Sequence, residues 1–305
     1  MSLIKELKNK IVMSVILSTI IVVIVLGFII SSQKQTEYEN KSQKFISQNI
    51  TKEISTENYS SIKIVNEKGQ PLVFQNDTLF FQILTVQNHN DIQYNILPKS
   101  EYFGLYQQLR YNSSSNMVFV YPLFTQAAYD HNGFYDYYGG NCDERCLSIP
   151  IQHTIGGGGT TSSMIGTSVL TFLGYPYITD IDIDKNPDIL KKYDRVIMLH
   201  SEYVTQKEFD AITHHSNVFY LYPNSLYAKV QTDYDKNTLT LVRGHGYPDA
   251  SIKNGFDWKF DNSQFEYDSR CDNWSVTRVD NGEMLNCYPG FRMLYDEKLL
   301  LTIHG

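Results

Sequence analysis

The order of apolar and polar residues divides the chain into a leading apolar run, a polar stretch and a long mixed region. Residues 11–30 contain no charged side chain and are mostly Ile, Val and Leu. A helix of that length, at about 1.5 Å per residue, spans roughly 30 Å, which matches the hydrocarbon core of a bilayer. Three lysines and one glutamate precede the run, and the positive-inside rule keeps such a segment in the cytoplasm.

We therefore predict a single-pass cell-membrane protein with a cytoplasmic N-terminus (1–10), a lipid-spanning anchor (11–30) and the rest of the chain outside the cytoplasm. A cleaved signal peptide is the alternative, but the apolar run is longer than a usual signal-peptide core. Residues 31–60 are rich in Ser, Gln, Asn, Lys and Glu. Such a composition buries little apolar surface, which predicts a polar stalk.

Beyond the stalk, apolar and polar residues alternate in residues 61–115, which predicts a small β-rich segment. In residues 116–245, predicted strands alternate with predicted helices. Four short apolar runs predict buried parallel strands: Met117–Tyr121, Tyr177–Ile183, Arg195–His200 and Val218–Tyr222. Two helices are predicted between them, at Ser163–Leu173 and from the capping box at Thr205 to about His214. This alternation predicts an α/β fold with an open, mostly parallel sheet and helices on both faces.

Two further patterns complete the prediction for the folded region. Strands at Val230–Thr232 and Thr238–Arg243 flank a turn as a hairpin, and residues 246–305 form an aromatic-rich extension of β or irregular structure packed on the α/β domain. In the segment TDIDIDK, the alternation of Asp with Ile predicts that Asp180, Asp182 and Asp184 share one polar face of a strand.

Composition narrows the functional classes. Asp and Glu exceed Lys and Arg by 33 to 26, a net charge of −7, and a nucleic-acid surface needs concentrated positive charge. We therefore expect no nucleic-acid partner. Apolar residues at 42% and charged residues at 19% supply enough apolar side chains for a folded core. The 23 tyrosines supply an unusual number of phenols for a site.

The four cysteines agree with a location outside the cytoplasm, where disulfides persist. Four cysteines allow three pairings. We favour Cys142–Cys146 and Cys271–Cys287, because each pair closes a local loop. The pattern CDERC has the wrong gap for a common zinc ribbon. No cysteine lies between residues 147 and 270, which excludes a cysteine nucleophile at a strand-to-helix elbow there.

Candidate chemistry follows the strand predicted at Arg195–His200, since ligands of open parallel sheets bind at the carboxyl ends of strands. His200 and Glu202 point to the same side while the backbone stays extended, so they could bind a metal or act as a ligand with its hydrogen-bonding neighbour. The alternative is that His200 caps the strand and Glu202 is a solvated turn residue. Arg243, His245 and Asp249 could line the mouth of such a site.

The stretch KKYDRVIMLHSEYVTQKEFDAI (191–212) resembles the signature of the large-subunit catalytic domain of N,N-dimethylformamidase. Two shorter segments match the family in the same order, Phe103-Gly104-Leu105-Tyr106 and Thr125-Gln126-Ala127-Ala128-Tyr129-Asp130. The resemblance covers roughly residues 100–230. Asp130 stands where the family usually has Asn, and Val204 replaces a usual aromatic residue.

This resemblance implies a sheet similar to flavodoxin and the class I glutamine amidotransferases, and an Fe(III) ion held by Tyr106, Tyr129 and Glu202. His200 and Glu202 would be the catalytic residues, with His200 as base or orienter. Two phenolates and a carboxylate would balance the three charges of ferric iron. Tyr135, Tyr137 and Tyr138 are rival ligands.

The function implied is an iron-dependent hydrolase of C–N bonds in linear amides, outside the cytoplasm and tethered to the membrane. The alternative is a non-catalytic cell-envelope protein that keeps the α/β scaffold and binds or supports other molecules. A small amide or a glycan is the ligand that we expect in these two readings. Fold alone does not choose between them.

Overall fold

The computed structural model describes residues 64–65, 71–72, 79–88, 91–155, 163–266 and 271–305. These residues belong to the unit that spans Ile62–Gly305. Within the described ranges, no helix combines the length and the apolar character needed to cross a bilayer. The predicted cytoplasmic segment, the predicted anchor at 11–30 and the predicted stalk at 31–60 lie outside the described residues, so they stay predictions.

The fold is mixed α/β, as predicted, and the strands of the described residues make four sheets. The strands are β1 (Ile64–Val65), β2 (Pro71–Leu72), β3 (Phe81–Asn88), β4 (Asp91–Pro98), β5 (Met117–Tyr121), β6 (Ser148–Pro150), β7 (Tyr177–Thr179), β8 (Arg195–Met198), β9 (Tyr203–Val204), β10 (Val218–Tyr220), β11 (Ala228–Asp233), β12 (Thr238–Arg243), β13 (Val276–Val279) and β14 (Gly282–Leu285). The α-helices are α1 (Phe103–Leu109), α2 (Leu123–Tyr129), α3 (Phe134–Tyr138), α4 (Ser163–Phe172), α5 (Asp180–Lys185), α6 (Gln206–His214) and α7 (Glu297–His304).

The central sheet has six strands in the order β13-β14-β10-β8-β5-β7. All neighbours from β14 to β7 are parallel, and β13 adds an antiparallel edge. Four parallel strands of this sheet, β5, β7, β8 and β10, lie within the four predicted apolar runs, because β-branched and aromatic side chains suit a strand covered on both sides. The prediction of a mostly parallel sheet is confirmed.

Alternate side chains of these strands enter two separate apolar cores. Phe119, Ile197 and Phe219 join the larger core, whereas their neighbours Val196 and Val218 join the smaller one. Successive side chains of a strand point to opposite faces, so both faces of this sheet are covered. The carboxyl ends of β5, β8 and β10 consequently form a firmly held edge.

A second sheet has the strand order β6-β12-β11-β9. The predicted hairpin is present as β11 and β12, which pair antiparallel. Strand β9 is parallel to β11, with Tyr203 opposite Ala228 and Val204 opposite Lys229. The segment after β8 therefore joins the two sheets through the residues of β9.

The prediction of a strand at Tyr177–Ile183 is wrong beyond Thr179, because a helix begins at Asp180. Thr179 and Asp182 form a capping box in which the hydroxyl accepts from the Asp182 N–H and the carboxylate accepts from the Thr179 N–H. Asp180 and Asp184 are buried while Asp182 is exposed, so the three carboxylates do not share one face. The capping residues decide this segment, rather than the Asp–Ile alternation.

The C-terminal extension contains a helix that its aromatic content did not predict. Helix α7 begins after Asp296, whose carboxylate accepts from the Leu299 N–H as an N-cap. Both favoured disulfides, Cys142–Cys146 and Cys271–Cys287, are present, which confirms the predicted pairing. The second disulfide links Cys271 to Cys287, which lies two residues beyond the end of β14.

Candidate functional site

Polar side chains converge at the carboxyl edge of the central sheet. Strand β8 ends at Met198, and the chain continues through His200 and Glu202 before it enters β9. Helix α2 starts directly after β5 and ends at Tyr129. Since both strands end at the same edge, the two segments meet there. His200 and Glu202 are buried, so Glu202 is not the solvated turn residue of the alternative interpretation.

Helix α2 fixes the backbone that carries Glu202. The Thr125 hydroxyl accepts hydrogen bonds from the Glu202 N–H at 3.0 Å and from the Tyr203 N–H at 3.1 Å. Tyr129 lies one helical turn further on, where its hydroxyl donates to Oε2 of Glu202 at 2.8 Å. Two of the segments that carry the family resemblance therefore contact each other directly.

The Glu202 carboxylate is the centre of the cluster and is fully buried. Its Oε1 accepts from the Tyr135 hydroxyl at 3.0 Å and lies in close contact with Nε2 of His245. Nε2 of His200 lies 3.5 Å from Oε2. A buried carboxylate needs such partners, because isolated burial of an ionised group is very costly.

His245 bridges two carboxylates. It follows β12 in a left-handed backbone conformation, with φ of 54°, and its Nδ1 lies 3.0 Å from Oε1 of Glu266. Burial lowers the pKa of His245, but Glu202 and Glu266 outweigh burial and raise that pKa to about 9. For Glu202 burial acts in the other direction and raises the pKa, but the positive charge of His245 outweighs burial, so the pKa of Glu202 lies below its usual value. At neutral pH the site therefore holds a carboxylate–imidazolium–carboxylate row.

His200 has the opposite charge state. Burial lowers its pKa, and the opposing effects of Glu202 and Asn224 do not reverse the shift. Its Nε2 lies 3.0 Å from Nδ2 of Asn224, and its ring stacks on Tyr222 with centroids 4.9 Å apart. One neutral imidazole and one charged imidazole consequently flank the same carboxylate, an arrangement that suits acid–base chemistry.

The phenols around Glu202 stay protonated. Burial raises the pKa of Tyr129 and Tyr135, and the negative charge of Glu202 raises both further. Their hydroxyls lie 2.9 Å apart. Neutral phenols donate hydrogen bonds, so these side chains orient the carboxylate and supply donors near it.

Of the three predicted iron ligands, Tyr129 and Glu202 contact each other, but Tyr106 does not join them. The Tyr106 hydroxyl donates to the Phe80 carbonyl at 2.5 Å and accepts from the Lys99 N–H at 2.9 Å. Its ring packs on Phe81 and Phe172. Helix α1 therefore places Tyr106 in the apolar core and not beside Glu202. Among the described residues, no group of three or more His, Cys, Asp or Glu side chains is placed to hold a metal ion. The prediction of a metal-binding, iron-containing centre held by Tyr106, Tyr129 and Glu202 is corrected accordingly.

Of the other predicted residues, the structure brings His245 into the site but leaves Arg243 and Asp249 exposed. Tyr135, predicted only as a rival ligand, contacts Glu202 directly. Glu266 was not predicted, because it lies in an irregular aromatic stretch without a pattern that marks it. A signal for His245 exists in the glycines on either side of it, which permit the left-handed turn.

The chain was also compared with known proteins. No protein-family model matches it, and no curated protein matches its sequence. The resemblance to the dimethylformamidase family therefore stays a prediction, and it rests on the three segments quoted above.

Proposed function

We propose that this protein is a dimethylformamidase-like hydrolase that cleaves the C–N bond of linear, non-peptide amides on a sheet of the glutamine-amidotransferase type. One observation carries the proposal: Thr125 and Tyr129 of one resembling segment hold the backbone and carboxylate of Glu202 in the other. This contact supports the resemblance, because it gives both segments one shared site at the edge where open α/β sheets bind ligands.

The charge states supply the parts that amide hydrolysis needs. A water molecule attacks the amide carbon and gives a proton to neutral His200. The C–N bond then breaks as the leaving nitrogen takes that proton from His200, which becomes neutral again. The products are a carboxylic acid and an amine. Glu202, 3.5 Å from His200, stabilises the imidazolium that forms, as a carboxylate does beside a catalytic histidine. His245 keeps Glu202 ionised for this role.

The test is an assay of amine release from formamide, N-methylformamide, N,N-dimethylformamide and acetamide. We expect the wild-type chain to hydrolyse at least one of them and Glu202→Gln to lose at least about a hundredfold in kcat, since the loss of a stabilising charge in a catalytic site costs about this much. The exposed Glu144→Gln is the matched control. An inactive wild type, or a fully active Glu202→Gln variant of unchanged stability, would contradict the proposal.

The second candidate is a non-catalytic binding protein. It is favoured by the full burial of Glu202 and by the occupation of both its oxygens by Tyr129, Tyr135 and His245. A wild-type chain that binds amides or glycans in the assay mixture without releasing amine would support this candidate. Glu202→Gln would then change stability and ligand affinity only.

A further inference from the structure

The turn after strand β10 contacts one of the two imidazoles of the site. Strand β10 ends at Tyr220, at the same edge of the sheet as its parallel neighbour β8. Asn224 in this turn is buried, and its Nδ2 lies 3.0 Å from Nε2 of His200. Tyr222, which stacks on the His200 ring, belongs to the same turn. The position of the His200 ring therefore depends on where this turn is held.

The backbone of the turn is strained and needs support. Leu226 is buried and has a φ of 59°, in the left-handed region. This region is unfavourable for a bulky side chain, and such a conformation persists only where the surrounding structure fixes it. The Leu226 N–H donates to the Ser201 carbonyl at 2.8 Å, which ties the end of the turn to the segment that carries His200 and Glu202.

Asn262, a fully buried residue of the C-terminal extension, holds the middle of the turn. Its Nδ2 donates to the Pro223 carbonyl at 3.1 Å and to the Ser225 carbonyl at 2.9 Å. An asparagine amide has two N–H groups, which matches these two acceptors. Because the two carbonyls lie on either side of Asn224 in the sequence, Asn262 fixes the backbone that presents Asn224 to the imidazole.

The segment that contains Asn262 also reaches the second imidazole. A short 3₁₀ turn, Ser263–Phe265, follows Asn262 and leads directly to Glu266. Glu266 contacts Nδ1 of His245 at 3.0 Å. One short stretch of the extension therefore contacts His245 directly and supports the position of His200 from a distance.

We propose that Asn262 is a positioning residue for His200, which it holds in place through the turn that carries Asn224. The proposal deepens the proposed hydrolase function and rests on it for the role of His200 as a base. The position of the ring itself is a property of the chain that can be measured without a substrate. A base acts only where it is held in the right place, and a displacement of about 1 Å costs up to about a hundredfold in rate.

The experiment measures the pKa of His200 by NMR titration of the full chain in Asn224→Leu, Asn262→Leu and the double variant. Leucine has the branching of asparagine but donates no hydrogen bond. The control is Asn281→Leu, because Nδ2 of Asn281 also donates to two backbone carbonyls, those of Ile212 at 2.7 Å and His215 at 3.1 Å. Melting temperatures are recorded in parallel, and the spectrum of His200→Gln assigns the signal.

Burial lowers the pKa of His200, and the contact with Asn224 opposes burial. Asn224→Leu should therefore lower this pKa further, and Asn262→Leu should lower it by a similar amount. The double variant should show no larger shift than Asn224→Leu alone, since both changes act through one contact. Asn281→Leu should melt at a lower temperature than the wild type and leave the pKa of His200 unchanged.

A milder variant keeps the test decisive if Asn262→Leu does not fold. Asn262→Ser retains one donor on a shorter side chain and should shift the pKa of His200 in the same direction, by a smaller amount. An unchanged pKa in a folded Asn262 variant would overturn the proposal. Additive shifts in the double variant, or an equal shift in Asn281→Leu, would overturn it as well.

Amine release separates this proposal from the proposed function. If the wild type hydrolyses amides, Asn262→Leu should lose about tenfold to a hundredfold in kcat without a matching rise in KM. Full activity of that variant would overturn the positioning role. A wild type that releases no amine would refute the hydrolase, whereas a shared pKa shift in the Asn224 and Asn262 variants would still support the support of His200 by Asn262.

Discussion

Thr125→Val tests whether helix α2 holds the Glu202 backbone as the structure indicates. The Thr125 side chain is fully buried, and its hydroxyl accepts from two backbone N–H groups, those of Glu202 and Tyr203. Valine has the same shape and a similar helix propensity. The substitution therefore removes one acceptor without opening a cavity, and it leaves two buried N–H groups without a partner.

The expected loss follows from those two groups. A buried donor left unsatisfied costs about 1–3 kcal/mol, so two of them cost about 2–6 kcal/mol if the local backbone does not relax. Partial relaxation favours the lower half of that range, about 2–4 kcal/mol. A domain is typically stable by about 5–15 kcal/mol, so the effect is large enough to measure without unfolding the protein outright.

The assay is urea unfolding with the disulfides intact, followed by circular dichroism and fluorescence. The control is Thr167→Val in helix α4, because the Thr167 hydroxyl is buried and has no hydrogen-bond partner among the described residues. We expect Thr167→Val to change the free energy of unfolding by less than about 0.5 kcal/mol or to raise it. Equal losses in the two variants would refute the role assigned to Thr125.

Three further predictions address charge and cross-links. Burial raises the pKa of Asp180 to about 8, whereas an unfolded Asp ionises near pH 4, so the folded chain holds a proton that the unfolded chain has lost. The free energy of unfolding should therefore fall between about pH 4 and 8 and stay level above pH 8. Urea unfolding at pH 5, 6.5 and 8 should show a smaller decrease for Asp180→Asn than for the wild type. Replacing both cysteines by Ala should cost about 3 kcal/mol for Cys271–Cys287 and about 2 kcal/mol for Cys142–Cys146, because their sequence separations are 16 and 4; equal melting shifts would contradict this. Amide hydrolysis should decline above about pH 9, because His245 loses its proton there and Glu202 loses its charged partner. In the Glu202→Gln variant, the pKa of His245 measured by NMR titration should be lower than in the wild type.

The central sheet was predictable because its strands are covered on both faces. Full coverage requires nearly continuous apolar runs, and such runs mark β5, β8 and β10 in the sequence. The helix at Asp180 was missed because alternation and a capping residue compete within one short segment. There the capping box of Thr179 and Asp182 decides the outcome. Periodicity carries no information about which of two such local signals is stronger.

The candidate site was predictable only where its residues follow strands. His200 and Glu202 could be placed at the sheet edge, and the resembling segment brought Tyr129 to them. Tyr106 was assigned by resemblance alone, and the packing of its helix against Phe81 places it in a core instead. The flanking glycines indicate the left-handed turn at His245, but no pattern in a single sequence indicates its pairing with Glu202 across 43 residues.

The order in which the site is assembled follows from the distances along the chain between its members. Glu202 pairs with Tyr129 across 73 residues and with His245 across 43 residues in the C-terminal direction. During synthesis the phenol is present long before the imidazole. A nascent chain that ends before residue 245 thus carries a carboxylate with phenolic donors but without its cationic neighbour, so that carboxylate must stay hydrated or take up a proton. Burial of the acidic centre therefore waits until the hairpin β11–β12 has been synthesised and its histidine can reach Glu202.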